Sequence, residues 1–255
     1  MKFSFSDDSN VTVVITSCGR FSHLKETIKS FLDTNTYPIK RLIVIEDSGS
    51  DKITNYIPEE IKPYTDIIIN KKKLGQIKSI DKAYSKVDTE YIFHCEDDWR
   101  FYRPGYIEDS LQILESNSHV LQVWLRSFYH DISIHSPYHS LGERESIGQN
   151  HFYRINSDKK EWQGFSFNPG LRRVSDYRAI TAYDNFPSEK ALSIHYAAKG
   201  YYAVILENDA VLHTGFGQHV EDPREKTKKT KKKLRRQLSY ILLSIVCFGL
   251  GYILH

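Results

Sequence analysis

The segment VTVVITSCGRFSHLKETIKSFL, Val11 to Leu32, determines the fold class of this chain. Its first part, Val11–Thr16, is a short run rich in β-branched residues, which is typical of a buried strand. The part from Arg20 to Asp33 has its apolar residues at helical spacing. These residues are Phe21, Leu24, Ile28, Phe31 and Leu32. The segment therefore predicts a strand that is followed directly by a helix.

The same alternation continues through the first half of the chain. Residues 47–57 predict a turn with a short helix, and residues 74–87 predict a second helix. Further strands are predicted at Arg41–Glu46, Asp66–Asn70 and Glu90–Cys95. Apolar strands that alternate with helices form a parallel sheet covered on both faces. Residues 11–117 thus predict an α/β fold with a mostly parallel central sheet and helices on both faces.

Beyond Val120 the pattern changes. A strand is predicted within residues 120–128, and the polar, aromatic and aperiodic residues 129–162 predict a long loop or small irregular strands. This stretch is expected to form a lid or an acceptor surface. Residues 186–200 predict a helix that is capped by Ser188 and ended by a glycine, and residues 201–207 predict another strand.

The composition is that of an ordinary globular protein, with 255 residues, of which 40% are apolar and 26% charged. The three cysteines are far apart and odd in number, so neither a disulfide framework nor a zinc site is predicted. A reducing, cytosolic setting is the expectation that follows. The N-terminus, MKFSFSDDSN, lacks the apolar core of a signal peptide, so export is not expected.

The formal net charge of +3 is unevenly distributed along the chain. Residues 224–236 contain nine Lys or Arg and one acid, a local charge of +8, and residues 237–255 contain no Lys, Arg, Asp or Glu. Residues 1–223 therefore carry a charge of −5. A nucleic-acid-binding domain spreads basic residues over a folded face, so no nucleic-acid partner is predicted.

The basic segment leads into residues 238–254, which are uncharged. Seventeen residues span roughly 25 Å as a helix, slightly less than a bilayer core of about 30 Å. The pattern predicts a C-terminal membrane-associated helix, either a short span or an interfacial anchor, next to an anionic cytoplasmic leaflet. The alternative is a C-terminal helix buried in the protein or in an oligomer. The predicted domains are residues 1–223 and 224–255, with the larger one at the cytoplasmic face of the membrane.

Unusual polar residues follow the predicted strands at their carboxyl ends, where open parallel sheets bind ligands. The first strand ends in TSCGR, residues 16–20, and the second in EDSGS, residues 46–50. The fourth ends in Glu96, Asp97 and Asp98. Three adjacent acids repel an anionic ligand, whereas a hard divalent ion binds both carboxylate and phosphate oxygens. The pattern predicts a metal-bound phosphorylated ligand.

Several stretches, taken in order, carry a resemblance to a known family. They are VTVVITSCGRFSHLKETIKSFL, LIVIEDSGSD, LGQIKSIDKAYSKVDTEYIFHCEDDW, GFSFNPGLRR and SEKALSIHYAAKGYYAVILENDAVLHTG. Together they cover roughly residues 11–215, and the chain resembles family 2 and related glycosyltransferases of GT-A fold. The resemblance implies a GT-A fold and an enzyme that uses a nucleotide-diphosphate sugar as donor.

The resemblance also implies roles on the donor side. Asp47 is similar to the aspartate that binds the nucleotide base, with Thr16 and Arg20 in the same base and ribose pocket. Gly75 and Gln76 resemble the start of the helix that passes beside the donor.

The triplet Glu96-Asp97-Asp98 resembles the acidic DXD motif, with a glutamate in place of its first aspartate. The implied roles are direct binding of Mn²⁺ or Mg²⁺ by Asp98, an indirect role of Glu96 through ribose or metal-bound water, and support of the donor site by Asp97. His213 lies where some members of the family have a further metal ligand.

Glu189 falls where the family has its acceptor-activating carboxylate, and Asp176 and Asp184 are the alternatives for this base. Asp81 stands where an asparagine is usual. One base and in-line attack would give inversion at the anomeric carbon. Trp162 is a candidate to stack on a sugar face, although a core position is the alternative, and residues 129–153 are a candidate acceptor site.

The function implied is metal-dependent sugar transfer to a hydroxyl of a surface glycan or a lipid-linked intermediate. Two other functions stay open at this point. A sugar nucleotidyltransferase also combines an α/β sheet with acidic metal sites, although TSCGRFSHLK is a poor triphosphate loop. A non-catalytic sugar-binding protein on the same fold is the third possibility.

Overall fold

The computed structural model describes residues 4–217 and residue 220, and its central element is a five-stranded sheet in the order β3-β2-β1-β4-β9. Its first four strands in sequence, β1 to β4, are parallel to their neighbours in the sheet, and β9 is antiparallel to β4. The strands are β1 (Val11–Ser17), β2 (Arg41–Glu46), β3 (Thr65–Ile69), β4 (Tyr91–Glu96) and β9 (Gly170–Arg173). The predicted α/β fold with a mostly parallel sheet is confirmed.

The helices lie on both faces of this sheet. They are α1 (Phe21–Thr34), α2 (Gln76–Tyr84), α3 (Tyr106–Ser116), the single turn α4 (Ser133–His135), α5 (Val174–Arg178) and α6 (Glu189–Ala198). Shorter 3-10 helices occupy Asp51–Tyr56, Glu59–Tyr64 and Tyr183–Asn185, and a π-helical turn occupies Phe128–Ile132. The helix predicted with Ser188 as its cap is confirmed, because the Ser188 hydroxyl accepts a hydrogen bond from the Ala191 amide.

Every residue of β1 is buried, and successive residues pack into two different cores. Val11, Val13 and Ile15 belong to the core beneath α1 and α3. Val14 belongs to the opposite core, which includes residues of α2 and α6. Side chains alternate across a strand, so a strand buried on both faces reads as an uninterrupted apolar run. This is why the sequence of β1 predicted its position so well.

An aromatic cluster joins α1 and α3 to the strand that leads to the acidic triplet. The ring centroid of Phe93 on β4 lies 5.7 Å from that of Phe31 on α1 and 5.5 Å from that of Tyr106 on α3. Phe101, in the short strand β5 (Trp99–Phe101), lies 5.5 Å from Phe31. The segment on either side of the triplet is therefore anchored in one core.

A second sheet has the order β6-β10-β8-β7, with β6 and β10 parallel and the other pairs antiparallel. Its strands are β6 (Val120–Trp124), β7 (His139–Ile147), β8 (Asn150–Ser157) and β10 (Tyr202–Leu206). The β7–β8 hairpin lies where a long loop or small irregular strands were predicted. Most of β7 is exposed, so its residues show no apolar alternation, and its backbone pairing with β8 is what makes it a strand.

A two-stranded sheet pairs β5 with β11 (Val211–His213), and sets Trp99 opposite His213. Neither strand was predicted, because three residues are too few to show a period. The pairing matters for the site, since it attaches the residues after the acidic triplet to a segment more than 100 positions further along the chain.

The predicted C-terminal membrane helix lies outside the described residues, and so does the whole of the predicted domain 224–255. Among the residues that the structure describes, no helix is both long and apolar enough to cross a membrane. All described residues except Val220 belong to one unit, Met1–Gln218. The domain limits 1–223 and 224–255 stay a prediction.

Replacement of Phe93 by alanine is expected to lower the free energy of unfolding by about 3–5 kcal/mol, because it removes a fully buried ring from the aromatic cluster. Urea denaturation followed by circular dichroism measures this. The matched control is Ile194→Ala, at a side chain 48% exposed, which is expected to stay within about 0.5 kcal/mol of the wild type. Equal effects of the two substitutions would contradict this account of the core.

Candidate active site

The three polar strand ends meet at one edge of the sheet, as the sequence predicted. Thr16, at the end of β1, lies opposite Glu96 at the end of β4, and Ser17 lies opposite Glu46 at the end of β2. Thr16 itself is buried. This shared edge, formed by the carboxyl ends of β1, β2 and β4, is the candidate active site.

Arg20, at the start of α1, contacts two of the three adjacent acids. Its guanidinium forms an ion pair with Asp97 and a second one with Asp98, with 2.7 Å between Nη1 and Asp98 Oδ2. On the other side of Asp98, His213 Nε2 lies 3.2 Å from the same oxygen. Arg20, Asp97, Asp98 and His213, all predicted site residues, thus form one cluster, here called the Asp98 cluster.

The Asp98 carboxylate is held ionised by its neighbours. Burial raises its pKa, but the hydrogen bond from His213 and the charge of Arg20 outweigh burial and bring the pKa below its ordinary value. Its other oxygen, Oδ1, is buried and has no hydrogen-bond partner among the described residues. A buried carboxylate oxygen of this kind carries negative charge that only an added cation or donor would satisfy.

The backbone after β11 fixes the position of Asp98. The amide and the hydroxyl of Thr214 both donate to the Asp98 carbonyl oxygen, at 2.8 and 2.9 Å. Gly215 lies so close that a Cβ added there would be 2.1 Å from Asp98 Oδ2. Only glycine fits against this carboxylate. Gly215 was not predicted as a site residue. Its position two residues after His213, in the sequence HTG, gives no signal of this contact.

Asp97 lies beneath Arg20 rather than at the surface of the site. It is 1% exposed, and burial, partly opposed by Arg20, raises its pKa to about 6. Its Oδ2 accepts a hydrogen bond from the Cys18 amide at 3.4 Å, and its carbonyl oxygen accepts from the Thr27 hydroxyl at 2.8 Å. Asp97 therefore fixes Arg20 and the neighbouring backbone, and its donor-side role stays a prediction.

Glu96 is half-buried and faces the other side of the site. Gln76, at the start of α2, donates to Glu96 Oε1 at 2.6 Å, and the Trp99 indole donates to Oε2 at 3.3 Å. Burial, with the charges of Asp98 and Glu189, raises the pKa of Glu96 to about 8. Gln76 and Glu96 were each predicted to lie on the donor side, and in the structure they are in direct contact.

Asp47 is 4% exposed and stabilises the turn that precedes α2. Its carboxylate accepts hydrogen bonds from the Leu74 and Gly75 amides, each at 2.8 Å, and from the Asn70 side chain at 2.8 Å. Gly75 has φ of 90°, a conformation that favours glycine. Asp47 and Gly75, both predicted donor-side residues, are therefore in contact, while contact of Asp47 with a nucleotide base stays a prediction.

Glu189 lies at the first position of α6 and reaches the same edge of the sheet. Its Oε1 accepts a hydrogen bond from the Phe167 amide at 2.9 Å. Phe167 comes three residues before Gly170, which pairs with His94 near the end of β4. Burial raises the pKa of Glu189, while the Phe167 amide, the Ser166 side chain, Arg172 and Arg126 oppose that rise.

The alternatives for the base lie in other surroundings. Asp176 follows Arg173, which pairs with Tyr91 at the amino end of β4, and its carboxylate contacts Arg173 at 3.0 Å and the Tyr201 hydroxyl at 3.2 Å. Asp184 is exposed, and its carboxylate lies 3.6 Å from Lys78 Nζ.

Asp81 has a structural reason to be an aspartate. Its two oxygens accept three hydrogen bonds, from the Tyr177 hydroxyl and from the Tyr183 and Asp184 amides, at 2.8 to 3.0 Å. A carboxylate accepts at both oxygens, whereas an asparagine accepts at one. Asp81 therefore attaches α2 to the segment before α6.

Residues that sequence reasoning missed form a wall beside the Asp98 cluster. Arg126, just after β6, forms two hydrogen bonds with Asp131, at 2.7 and 2.6 Å, and lies 5.5 Å from the Trp99 ring centroid. Phe216 stacks on His135 and touches His213 edge-on, with centroid distances of 4.7 and 4.5 Å. The predicted stretch 129–153 contributes to this wall through Asp131 and His135. The sequence did not predict this wall, because isolated polar residues in an aperiodic stretch show no pattern.

Trp162 lies near the start of α6. It is half-buried, and the Lys190 ammonium is 5.9 Å from its ring centroid. Trp162 therefore contacts the first turn of α6, and its stacking on a sugar stays a prediction.

The residues present fit a divalent ion that shares its coordination with a ligand. Among the described residues, no group of three or more His, Cys, Asp or Glu is arranged to bind a metal by itself. Asp98 and His213 are in contact, with 3.2 Å between Oδ2 and Nε2, and Asp98 Oδ1 is buried without a partner among the described residues, so these two side chains would be the protein's ligands to such an ion. Carboxylate and imidazole are ligands that Mn²⁺ accepts, and phosphate oxygens and water would complete the set.

The family model of glycosyl transferase family 2 matches residues 12–180, which is more than half of the chain. The chain therefore belongs to glycosyl transferase family 2, and the family resemblance noted from its motifs is confirmed. A comparison with curated protein sequences finds no match.

Solved structures of glycosyltransferases have a similar fold. Mannosyltransferase PcManGT from Pyrobaculum calidifontis, in complex with GDP-Man and Mn²⁺, matches with a TM-score of 0.61 at 10% identity, over 85% of this chain and 60% of that one. Residues 1–349 of S. aureus TarS match with a TM-score of 0.58 at 13% identity, over 80% and 60%. The complex of that TarS fragment with UDP matches with a TM-score of 0.54 at 12% identity, over 79% and 59%. The chain thus spans about 60% of the length of these structures, and the likeness shows the GT-A fold.

Replacement of Gly215 by alanine is expected to displace the Asp98 carboxylate and to weaken Mn²⁺-dependent binding of UDP or GDP by tenfold or more, because the new methyl group would overlap Oδ2. Isothermal titration calorimetry measures the binding. The matched control is Gly217→Ala, where φ is 80° but no heavy atom lies within 4 Å of the added carbon. Nucleotide binding by Gly215→Ala at wild-type affinity would contradict the assignment.

Proposed function

We propose that this protein is a metal-dependent, inverting glycosyltransferase that moves a sugar from a nucleotide-diphosphate donor to an acceptor hydroxyl. The observation that carries the proposal is the arrangement at the carboxyl edge of the sheet. The Asp98 cluster lies on one side, and half-buried Glu189 lies on the other, where its carboxylate accepts a hydrogen bond from the Phe167 amide and is close enough to Glu96 to raise the pKa of that residue. The printed complexes of the structural neighbours, with GDP-Man and Mn²⁺ and with UDP, support a nucleotide-sugar donor.

On the donor side, Asp98 and His213 would hold the divalent ion. When bound, the ion supplies positive charge that stabilises the departing nucleoside diphosphate. Arg20 adds a guanidinium at the same place, and its ion pairs with Asp97 and Asp98 fix its direction. Gln76 and Glu96 line the site beside α2, where we place the donor sugar and ribose.

On the acceptor side, we assign Glu189 as the general base. A base must lie within hydrogen-bond reach of the hydroxyl that attacks, and Glu189 is the candidate at the carboxyl edge of the sheet. Asp176 lies at the amino end of β4, and its charge is paired with Arg173, while Asp184 is exposed and close to Lys78. The raised pKa of Glu189 strengthens it as a base, since a carboxylate of higher pKa accepts a proton more readily.

We further propose that the acceptor is a surface glycan or a lipid-linked intermediate at the cytoplasmic face of a membrane. The support is the sequence after residue 223, in which nine basic residues precede 17 uncharged ones. Basic residues next to an apolar segment bind anionic lipid surfaces, with about 1 kcal/mol for each Lys or Arg.

Replacement of Glu189 by glutamine is expected to lower kcat by about 10²- to 10⁴-fold while donor affinity stays unchanged, because the amide cannot accept the acceptor's proton. Turnover of a panel of nucleotide sugars measures this, with calorimetry for the donor. The matched controls are Asp176→Asn and Asp184→Asn, which are expected to keep wild-type kcat. Full turnover by Glu189→Gln, or its loss in either control alone, would move the base elsewhere.

The same assay separates the other possible functions. A sugar nucleotidyltransferase would form a nucleotide sugar and pyrophosphate from a nucleoside triphosphate and a sugar phosphate. A non-catalytic protein would bind nucleotide sugars without turning them over. Either result would contradict the proposed transfer.

Deletion of residues 224–255 is expected to abolish binding to vesicles that contain anionic phospholipid, because it removes both the basic segment and the apolar one. Co-sedimentation measures this. The matched control is the full-length chain with glutamine at the nine basic positions of residues 224–236, which is expected to lose its preference for anionic over neutral vesicles. A truncated protein that still sediments with vesicles would contradict the anchor.

A further inference from the structure

Arg172 is a buried cation that has no role in the proposed donor and acceptor chemistry. It lies on β9, paired with Ile92 of β4, and is 3% exposed. Its Nη2 donates to the Ser166 carbonyl oxygen at 2.6 Å and to the Asn168 carbonyl oxygen at 3.2 Å. The guanidinium also lies 5.4 and 5.7 Å from the ring centroids of Phe165 and Phe167.

No carboxylate of the described residues lies within ion-pair distance of Arg172, in contrast to Arg20, Arg126 and Arg173. A buried charge without a direct counter-ion is costly, so such groups are uncommon unless another interaction compensates. Arg172 lowers the pKa of the Glu189 carboxylate. It also lowers the pKa of the buried groups Tyr84, Tyr183 and His94.

The contacts of Arg172 lead to Glu189 through the backbone. Its two carbonyl acceptors, on Ser166 and Asn168, flank Phe167, and the Phe167 amide donates to Glu189 Oε1 at 2.9 Å. A guanidinium that binds two carbonyl groups two residues apart fixes the peptide plane between them. The direction of the Phe167 amide, and with it the position of the Glu189 carboxylate, therefore depends on Arg172.

We propose that Arg172 is the positioning residue for the Glu189 carboxylate: it fixes the Ser166–Asn168 segment, whose Phe167 amide binds this carboxylate. The inference rests on the proposed function, because it concerns the group assigned there as general base. Arg172 does not contact the donor or acceptor sites directly; it acts through Ser166, Phe167 and Asn168.

The sign of the expected pH effect follows from the groups that face Glu189. Burial opposes its ionised form, whereas the Phe167 amide, Arg172 on β9 and Arg126 after β6 favour it. With a pKa of about 8, Glu96 at the end of β4 is protonated at lower pH and adds no charge there. Loss of the Arg172 charge leaves burial less compensated, so the pKa of Glu189 rises further. Since a general base must be ionised, the acid limb of the kcat/KM profile then moves to higher pH.

The test compares Arg172→Met, Arg172→Lys and Arg173→Met in the full chain. Arg172→Met removes the charge and both donors, and kcat/KM at pH 7 is expected to fall at least tenfold with the acid limb displaced to higher pH. Arg172→Lys keeps a charge but loses the planar guanidinium whose Nη2 donates to both carbonyl oxygens, so the limb is expected to return towards the wild-type position while kcat stays reduced. Donor affinity, measured by calorimetry, is expected to stay unchanged in both.

Arg173→Met is the matched control, because Arg173 is the next residue of β9 and donates to carbonyl oxygens of Leu114, Asn117 and Val120 away from Glu189. It is expected to lower the melting temperature without moving the pH profile. A wild-type acid limb in Arg172→Met, or the same displacement in Arg173→Met, would overturn the inference.

A second measurement does not depend on activity. Carbon-13 NMR titration of the glutamate side-chain carboxyls, with Glu189 assigned from the signal lost in Glu189→Gln, reports the Glu189 midpoint directly. That midpoint is expected to rise in Arg172→Met and to stay in Arg173→Met; an unchanged midpoint in Arg172→Met would overturn the inference. If the midpoint rises but no sugar transfer is found with the wild type, the proposed function fails while the link between Arg172 and Glu189 stands.

Discussion

The double ion pair of Arg20 with Asp97 and Asp98 is the interaction on which the site depends. Three consecutive acids at the end of a buried strand repel one another, and burial favours their protonated forms. Arg20 provides one cation to two of them, and His213 contacts the same Asp98 oxygen as Arg20. As a result the pKa of Asp98 is lowered, whereas the pKa of Glu96, which has only neutral hydrogen-bond partners, rises to about 8.

This interaction also connects distant parts of the chain. Arg20 stands at the β1–α1 connection, the acids follow β4, and His213 ends β11. Thr214 and Gly215, directly after β11, pack against Asp98, so little space remains for its carboxylate to move. If the proposed diphosphate and metal ion bind at Asp98, a carboxylate held in this way would need little reorganisation.

The antiparallel strand β9 supplies the other half of the site. By reversing direction beside β4, it brings the Phe165–Asn168 segment to the carboxyl edge of the sheet, and Glu189 binds to that segment. The two sides thus differ in kind. Asp98 is compensated by cations, and Glu189 by a backbone amide and by charges further away. Carboxyl groups in different surroundings acquire different proton affinities, which is the condition for giving them different roles.

The sequence alone determined the parts of the fold whose cause is local. β1 and β2 were predicted within a residue of their bounds because strands buried on both faces are uninterrupted apolar runs, and α6 was predicted from its Ser188 cap. The acids at the strand ends were expected to meet because parallel strands share one edge. Only the tertiary structure decided the rest. The β7–β8 hairpin is exposed and polar, β9 has four residues, and the roles of Gly215 and Arg172 arise from contacts with Asp98 and with the Ser166–Asn168 segment. The physical reason is that periodicity and capping act within a few residues, whereas the burial, charge and steric fit of a side chain depend on neighbours that only folding brings together.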